Sequence, residues 1–155
     1  VAVKHAAGVL RLELEAQLSQ GLPNSPMAGA QIRVASGNFI TAQPVGVVDG
    51  IDFQFTGSVR KVDTVAISRR LDAGDVVLIS HLGFSPTGEI FNLAWEDIAE
   101  STAIALKADK LLLYADELPA TRKGRVLHEV TARELATLAT KEKFSAEQNQ
   151  FNIFF

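Results

Sequence analysis

The stretch from Asp75 to Asp116, DVVLISHLGFSPTGEIFNLAWEDIAESTAIALKADKLLLYAD, constrains the fold more than any other part of the chain. Val76-Val77-Leu78-Ile79 is a short unbroken apolar run, the pattern of a strand covered on both faces. Leu111-Leu112-Leu113-Tyr114 is a second such run. A helical pattern from about Trp95 to Lys107 separates them. Strand, helix, strand in this order predicts a βαβ crossover with the two strands as parallel neighbours. The loop leaving the first strand carries His81, Ser85, Thr87, Glu89 and Asn92. Open α/β sheets bind ligands beyond the carboxyl ends of their strands, where this loop sits.

A sheet of this kind needs helices on its faces, and the first segment supplies one. Val3, Ala7, Leu10, Leu14 and Leu18 recur at helical spacing and form one apolar stripe. Arg11, Glu13, Glu15 and Gln17 fall mostly on the outer side. Gly21 reads as the residue that ends the helix, and Pro23 and Pro26 prevent its continuation. The chain has no initiator Met and opens inside this pattern, which reads as a piece of something longer.

Short β segments follow. Gln31–Val34 and Phe39–Ala42 flank the turn Ala35-Ser36-Gly37-Asn38 and predict a hairpin. Ile51–Phe55 and Val59–Val62, joined by Thr56-Gly57-Ser58, predict another. Together they would form an antiparallel flap or edge on the main sheet. Asp63 is a fit N-cap for a helix over 64–73, and Gly74 a fit C′ residue. Beyond the central unit, Val126-Leu127 predicts a short strand. Thr131-Ala132-Arg133-Glu134 is a capping box that opens a helix to about Lys141. The tail 144–155 ends in Phe151, Ile153, Phe154 and Phe155, a cluster that needs a partner surface. There is no repeat and no low-complexity linker, so the reading is a single domain over 1–155.

Composition narrows the function classes. Hydrophobic residues at 47% and charged residues at 21% fit a folded globular chain of 155 residues. A net charge of −3 gives no support to a nucleic-acid partner. No apolar run approaches the roughly 20 residues of a membrane span. With no recognisable signal peptide, the expected location is cytoplasmic. The chain has no cysteine, so thiol catalysis and thiolate metal sites are excluded within it.

The residues that carry chemistry are few. His5, His81 and His128 lie far apart, with no metal-binding spacing, and only His81 directly follows a strand. His5 and His128 read as surface residues. Neither a P-loop nor a dinucleotide fingerprint is present. Ser85-Pro86-Thr87-Gly88 is first of all a turn, with hydroxyls that could hold a polar ligand. Asn92 and Glu96 are four apart at a helix start and so share one face. Two readings stand for that pair: ordinary helix-start chemistry, or a site for an anionic ligand group. Trp95 beside them reads as core.

The segment GEIFNLAWEDIAESTAIALKADKLLL resembles the Asn-x-x-x-Asp helix and following strand of the amino-acid kinase fold, as in acetylglutamate kinases. VASGNFITAQPVGVVDGIDFQFTGSVRKVD, followed by LGFSPTGEIFNL, more closely resembles the amino-acid-kinase-like domain of bacterial N-acetylglutamate synthases. The resemblance covers about Val3 to Ala115, fades after Glu117, and leaves the tail from Phe144 unmatched.

It implies an incomplete three-layer αβα sandwich with a mainly parallel sheet and an antiparallel β flap. It implies that Asn92 matches the Asn that binds the substrate carboxylate in the kinases. Glu96 then stands where the kinases have an Asp that organises catalytic lysines. The family's N-terminal lysine and its glycine-rich loops would lie before Val1. The kinase-like domain of the synthases is regulatory: it senses L-arginine as effector and supports homo-oligomer assembly. A separate acetyltransferase domain transfers acetyl from acetyl-CoA to L-glutamate, the first step of arginine biosynthesis. The resemblance therefore implies a segment with no catalytic residue, metal or cofactor of its own, and a vestigial substrate pocket at Asn92 and Glu96. The alternatives are an acetylglutamate-kinase-type phosphotransferase and a purely structural oligomerisation module.

Overall fold

The computed structural model describes residues 1–114. It forms two compact units, Val1–Ala108 and Asp109–Phe155. The first contains all the helices and strands among the described residues. The predicted features at Val126-Leu127, His128 and Thr131–Glu134, and the tail 144–155, lie outside the described residues.

Helix α1 spans Ala2–Leu18 and follows the apolar stripe read from the sequence. It ends at Ser19, two residues before Gly21, with the Ser19 hydroxyl donating to the Glu15 carbonyl at 2.7 Å. Ala7 is its one buried residue; Leu10 stays exposed. Strand β1, Val34–Ser36, comes next, followed by β2, Ile40–Pro44. The predicted hairpin between them does not form. β1 instead pairs in parallel with β6, Val76–Leu78, and β2 pairs elsewhere. The Ser36-Gly37-Asn38 turn signal is local, whereas strand partners are chosen by burial of non-local faces. Here the turn carries the chain from one sheet to another.

The second expected pair is also repartnered. β3, Val47–Val48, and β4, Ile51–Asp52, make a small hairpin. β5, Gly57–Val62, runs antiparallel to β2 with a register shift at Thr41/Ala42. The antiparallel flap expected from the sequence is therefore the β2–β5 ladder with β3–β4 at its tip.

Helix α2, Thr64–Asp72, is capped as expected: the Ala66 N–H donates to Asp63 Oδ1 at 3.0 Å. Its end is a Schellman motif. Gly74 at φ +80° donates to the Leu71 carbonyl, and Asp75 N–H reaches back to the Arg70 carbonyl, both at 2.9 Å. A side chain at Gly74 would be strained, because L-residues avoid that backbone region.

After β6 the chain makes a second hairpin inside what the sequence predicts to be a loop. β7, Leu82–Phe84, pairs antiparallel with β8, Ile90–Asn92, and β7 also runs parallel to β2. The larger sheet has the order β5-β2-β7-β8. Helix α3, Trp95–Leu106, follows. It closes with the same hydrogen-bond pattern as α2, but with Lys107 at φ 53° in the left-handed position.

The core lies where this sheet meets α2 and α3. Phe39, Ile40, Ala42, Val62, Ile67, Phe91, Leu93 and Ile98 form its buried cluster, with Val77 and Ile79 packed against it. Gly83 is fixed by this packing: a Cβ there would lie 2.6 Å from both Ala42 Cβ and Leu93 Cδ1.

Two expectations about the central stretch are corrected. Leu111–Tyr114, at the start of the second unit, is not a strand among the described residues, so the βαβ unit is not completed there. The first strand has its parallel neighbour in β1, upstream, because the hairpin and α3 follow it directly. Val76 is 42% exposed, so that strand is not covered along its whole length.

Candidate functional site

The carboxyl ends of β1 and β6 open into a cleft of about 500 Å³. Helix α1 forms one wall with Lys4, Ala7, Leu10, Arg11 and Leu14. The strand ends and their exit loops form the floor with Ser36, Gly37, Asn38, Leu78, Ile79, Ser80 and His81. Phe84, Ile90 and Trp95 close the far side. This is the place where open α/β sheets present ligand sites, beyond the carboxyl ends of parallel strands.

The wall is tied to the floor by one polar contact. The Ser36 hydroxyl donates to Glu15 Oε1 at 2.8 Å, and Arg11 Nε lies 3.6 Å from the same oxygen. Arg11 lines the cleft and Glu15 reaches β1, so neither lies on the outer side of α1 as the sequence reading had it. Lys4, Ala7, Arg11 and Leu14 recur at helical spacing, and that shared periodicity is the signal that could have placed Arg11 on the inner face. Ser36 and Asn38 had no such signal; their place depends on the parallel pairing of β1.

His81 lines the cleft and is half-buried. Its carbonyl accepts from Leu93 N–H at 2.9 Å, which fixes the loop between β6 and β7 against the start of α3. Trp95 also lines the cleft and is 44% exposed, so it is not a core residue.

Asn92 and Glu96 do not share a helix face. Asn92 is the last residue of β8, opposite Leu82, and donates its N–H to the Phe55 carbonyl at 2.8 Å. Glu96 is half-buried in the first turn of α3, whose N-cap is Ala94, with no side-chain cap. The helix begins only after Leu93 because Leu93 is buried in the core as the chain leaves the sheet. Neither residue is among those lining the cleft.

Ser85, Pro86, Thr87 and Gly88 form the β7–β8 turn, as the sequence predicts. Gly88 N–H donates to the Ser85 carbonyl at 3.0 Å. The Ser85 and Thr87 hydroxyls lie 2.8 Å apart, and Thr87 donates to Glu89 Oε2 at 3.0 Å. These polar groups satisfy one another on the surface. Among the described residues no three His, Asp or Glu side chains come together as a metal site, and no helix is long and apolar enough to cross a membrane.

Comparison with known proteins places this geometry. Residues 2–148 match the model of the amino acid kinase family. An amino-acid acetyltransferase of Ralstonia nicotianae is 51% identical over 146 residues, which cover 93% of this chain and 32% of the relative. The chain thus spans about a third of the length of that curated relative. Among solved structures, N-acetylglutamate synthase from Neisseria gonorrhoeae in complex with coenzyme A and L-arginine superposes with a TM-score of 0.79 at 34% identity. That similarity covers 95% of this chain and 34% of the synthase. The complex of the same synthase with coenzyme A and N-acetyl-glutamate gives a TM-score of 0.77, also at 34% identity.

Proposed function

The chain belongs to the amino acid kinase family, and on that footing we propose that it is the kinase-like segment of an N-acetylglutamate synthase. The parent enzyme transfers acetyl from acetyl-CoA to L-glutamate and opens arginine biosynthesis in the cytoplasm. The segment itself is non-catalytic, serves regulation and homo-oligomer assembly, and belongs to a domain whose effector is L-arginine. The carrying observation is the 51% identity to an amino-acid acetyltransferase across 93% of the chain. The arginine complex of the Neisseria gonorrhoeae synthase supports the choice of effector.

The site residues fit a vestigial role. Phosphoryl transfer depends on charges placed within a fraction of an ångström. Glu96 carries its carboxylate one methylene further out than the Asp of the resembled motif. Asn92, held on β8, retains the amide that would meet a substrate carboxylate.

The test uses the reading frame that encodes this segment. Its purified product should acetylate L-glutamate from acetyl-CoA and lose that activity as L-arginine is added. Failure to acetylate would sink the synthase reading. The 155-residue chain alone, given ATP and N-acetylglutamate, should release no more ADP than its Glu96→Ala variant. Release above that control would establish a working kinase instead.

A further inference from the structure

The tip of the antiparallel flap is apolar and uncovered. Val45, Val47, Val48, Ile51, Phe53 and Phe55 are each between 38% and 68% exposed. Val47 pairs with Asp52 and Val48 with Ile51, around an Asp49-Gly50 turn whose φ angles are both positive, 51° and 79°. Phe53 N–H donates to the Gly46 carbonyl and Val45 N–H to the Thr56 carbonyl, both at 3.0 Å, and these bonds carry the pairing down to the stem of the flap. Neighbours along a strand point to opposite faces, so Val47 and Val48 make both sides of the hairpin apolar. A two-stranded hairpin is at best marginally stable alone in water. One that is apolar on both sides calls for a partner surface.

Charge selects the partner. Between residues 44 and 59 the charged side chains are Asp49 and Asp52 alone, both exposed. An acidic tip is repelled by an anionic lipid surface and calls for cations. The same flap carries cations at its other end. Along β5 the register passes from Thr41 opposite Lys61 to Ala42 opposite Val59, so Arg60 is the extra residue of a bulge. Val62 is buried and Val59 packs against the core, while Arg60 and Lys61 both stand exposed. None of these four charged groups has a salt-bridge partner among the described residues. The flap is thus acidic at its tip and basic at its stem, with Phe53 and Phe55 between the two in sequence.

We propose that two copies of this chain pair through their flaps about a two-fold axis. Such an axis sets a surface against its own copy. With the flaps antiparallel, each acidic tip lies over the basic stem of the other copy, and the two acidic tips stay apart. Asp52 and Arg60 are eight positions apart in sequence, at most roughly 26 Å of extended chain. Their midpoint is Thr56, so the axis passes beside Phe55, which meets its own counterpart there as an aromatic pair. This surface deepens the homo-oligomer assembly proposed above and rests on that reading.

The full chain is followed by sedimentation equilibrium over a range of concentrations. It should form dimers that weaken as salt rises from roughly 0.05 to 0.5 M, because exposed ion pairs are screened; purely apolar association would not weaken. Phe55→Ser, at an exposed site, should raise the dimer dissociation constant about a hundredfold, since a two-fold counts each change twice. Asp49→Asn with Asp52→Asn keeps the side-chain acceptor that holds Gln54 N–H at 2.9 Å, and should raise the constant about tenfold. Arg60→Gln with Lys61→Gln should do the same, and all four changes together should do little more than either pair, as for groups that meet one another. A chain that stays monomeric, a dimer indifferent to Phe55→Ser, or charge effects that add in full would each overturn the proposal. Acetyl transfer by the encoded parent is measured separately, so a failure of the synthase reading shows there and not in the dimer constant.

Discussion

The two parallel ladders among the described residues lie in very different surroundings. The β5-β2-β7-β8 sheet meets α3 at β5, and its Ile40 and the Ile67 of α2, joined in one buried cluster, are each only 1% exposed. Eight of the nine buried hydrophobic residues among the described residues belong to that cluster. The β1–β6 pair meets α2 at β6 and packs Val77 against that cluster, yet Leu10 on α1 is 54% and Val76 42% exposed. One region is packed and carries the stability; the other keeps a hollow and carries the candidate binding surface. Burial that would stabilise the second region would also close its cleft.

This contrast can be attacked by substitution, and the largest effect should come from its packed side. Ile40→Ala should cost about 3–4 kcal/mol, since it removes a fully buried side chain from a tight core. A shift in the urea midpoint at constant slope measures it. Gly83→Ala should cost about 2 kcal/mol by overpacking against Ala42 and Leu93, detectable as a lowered thermal midpoint. Leu10→Ala should change stability by less than about 0.5 kcal/mol, as for an exposed site. If its cost matched that of Ile40→Ala, the α1 face would be covered in solution and the contrast would collapse.

What the sequence revealed follows the range of the interactions. Asp63 and Gly74 announced both ends of α2 because capping is settled within a few residues. The Val3–Leu18 stripe announced α1 for the same reason. Strand partners were not legible. Ser36-Gly37-Asn38 looks like a hairpin turn, and only the pairing of Val34–Ser36 with Val76–Leu78, some forty positions away, shows otherwise. The sequence puts Asn92 on a helix because the hairpin Leu82–Asn92 consists of strands of three residues, too short to show alternation. The cleft is not legible in the sequence because its walls come from separate stretches, and the polarity of Arg11 points outward while its spacing from Lys4 and Leu14 points inward. The amino-acid-kinase character of the chain was legible because sequence similarity integrates many positions at once.

Arg33, the residue that leads into β1, has a consequence for the cleft floor. Arg33 donates from Nη2 to the Ala73 carbonyl at 2.9 Å, sets Nε 3.3 Å from Asp75 Oδ1, and gives its own carbonyl to Val76 N–H at 2.8 Å. Those contacts join the entry to β1 to the exit from α2, at the amino end of a three-residue ladder. So short a ladder is weakly indexed by its own side chains, since a slip of one step exchanges the faces of every residue in it. Arg33 works as a detent: the strands can seat at one position, and the neighbouring positions require all three contacts to be released together. The identity of the groups at the floor, Ser36 and Leu78 among them, is thus written at the opposite end of the strands from the cleft they furnish.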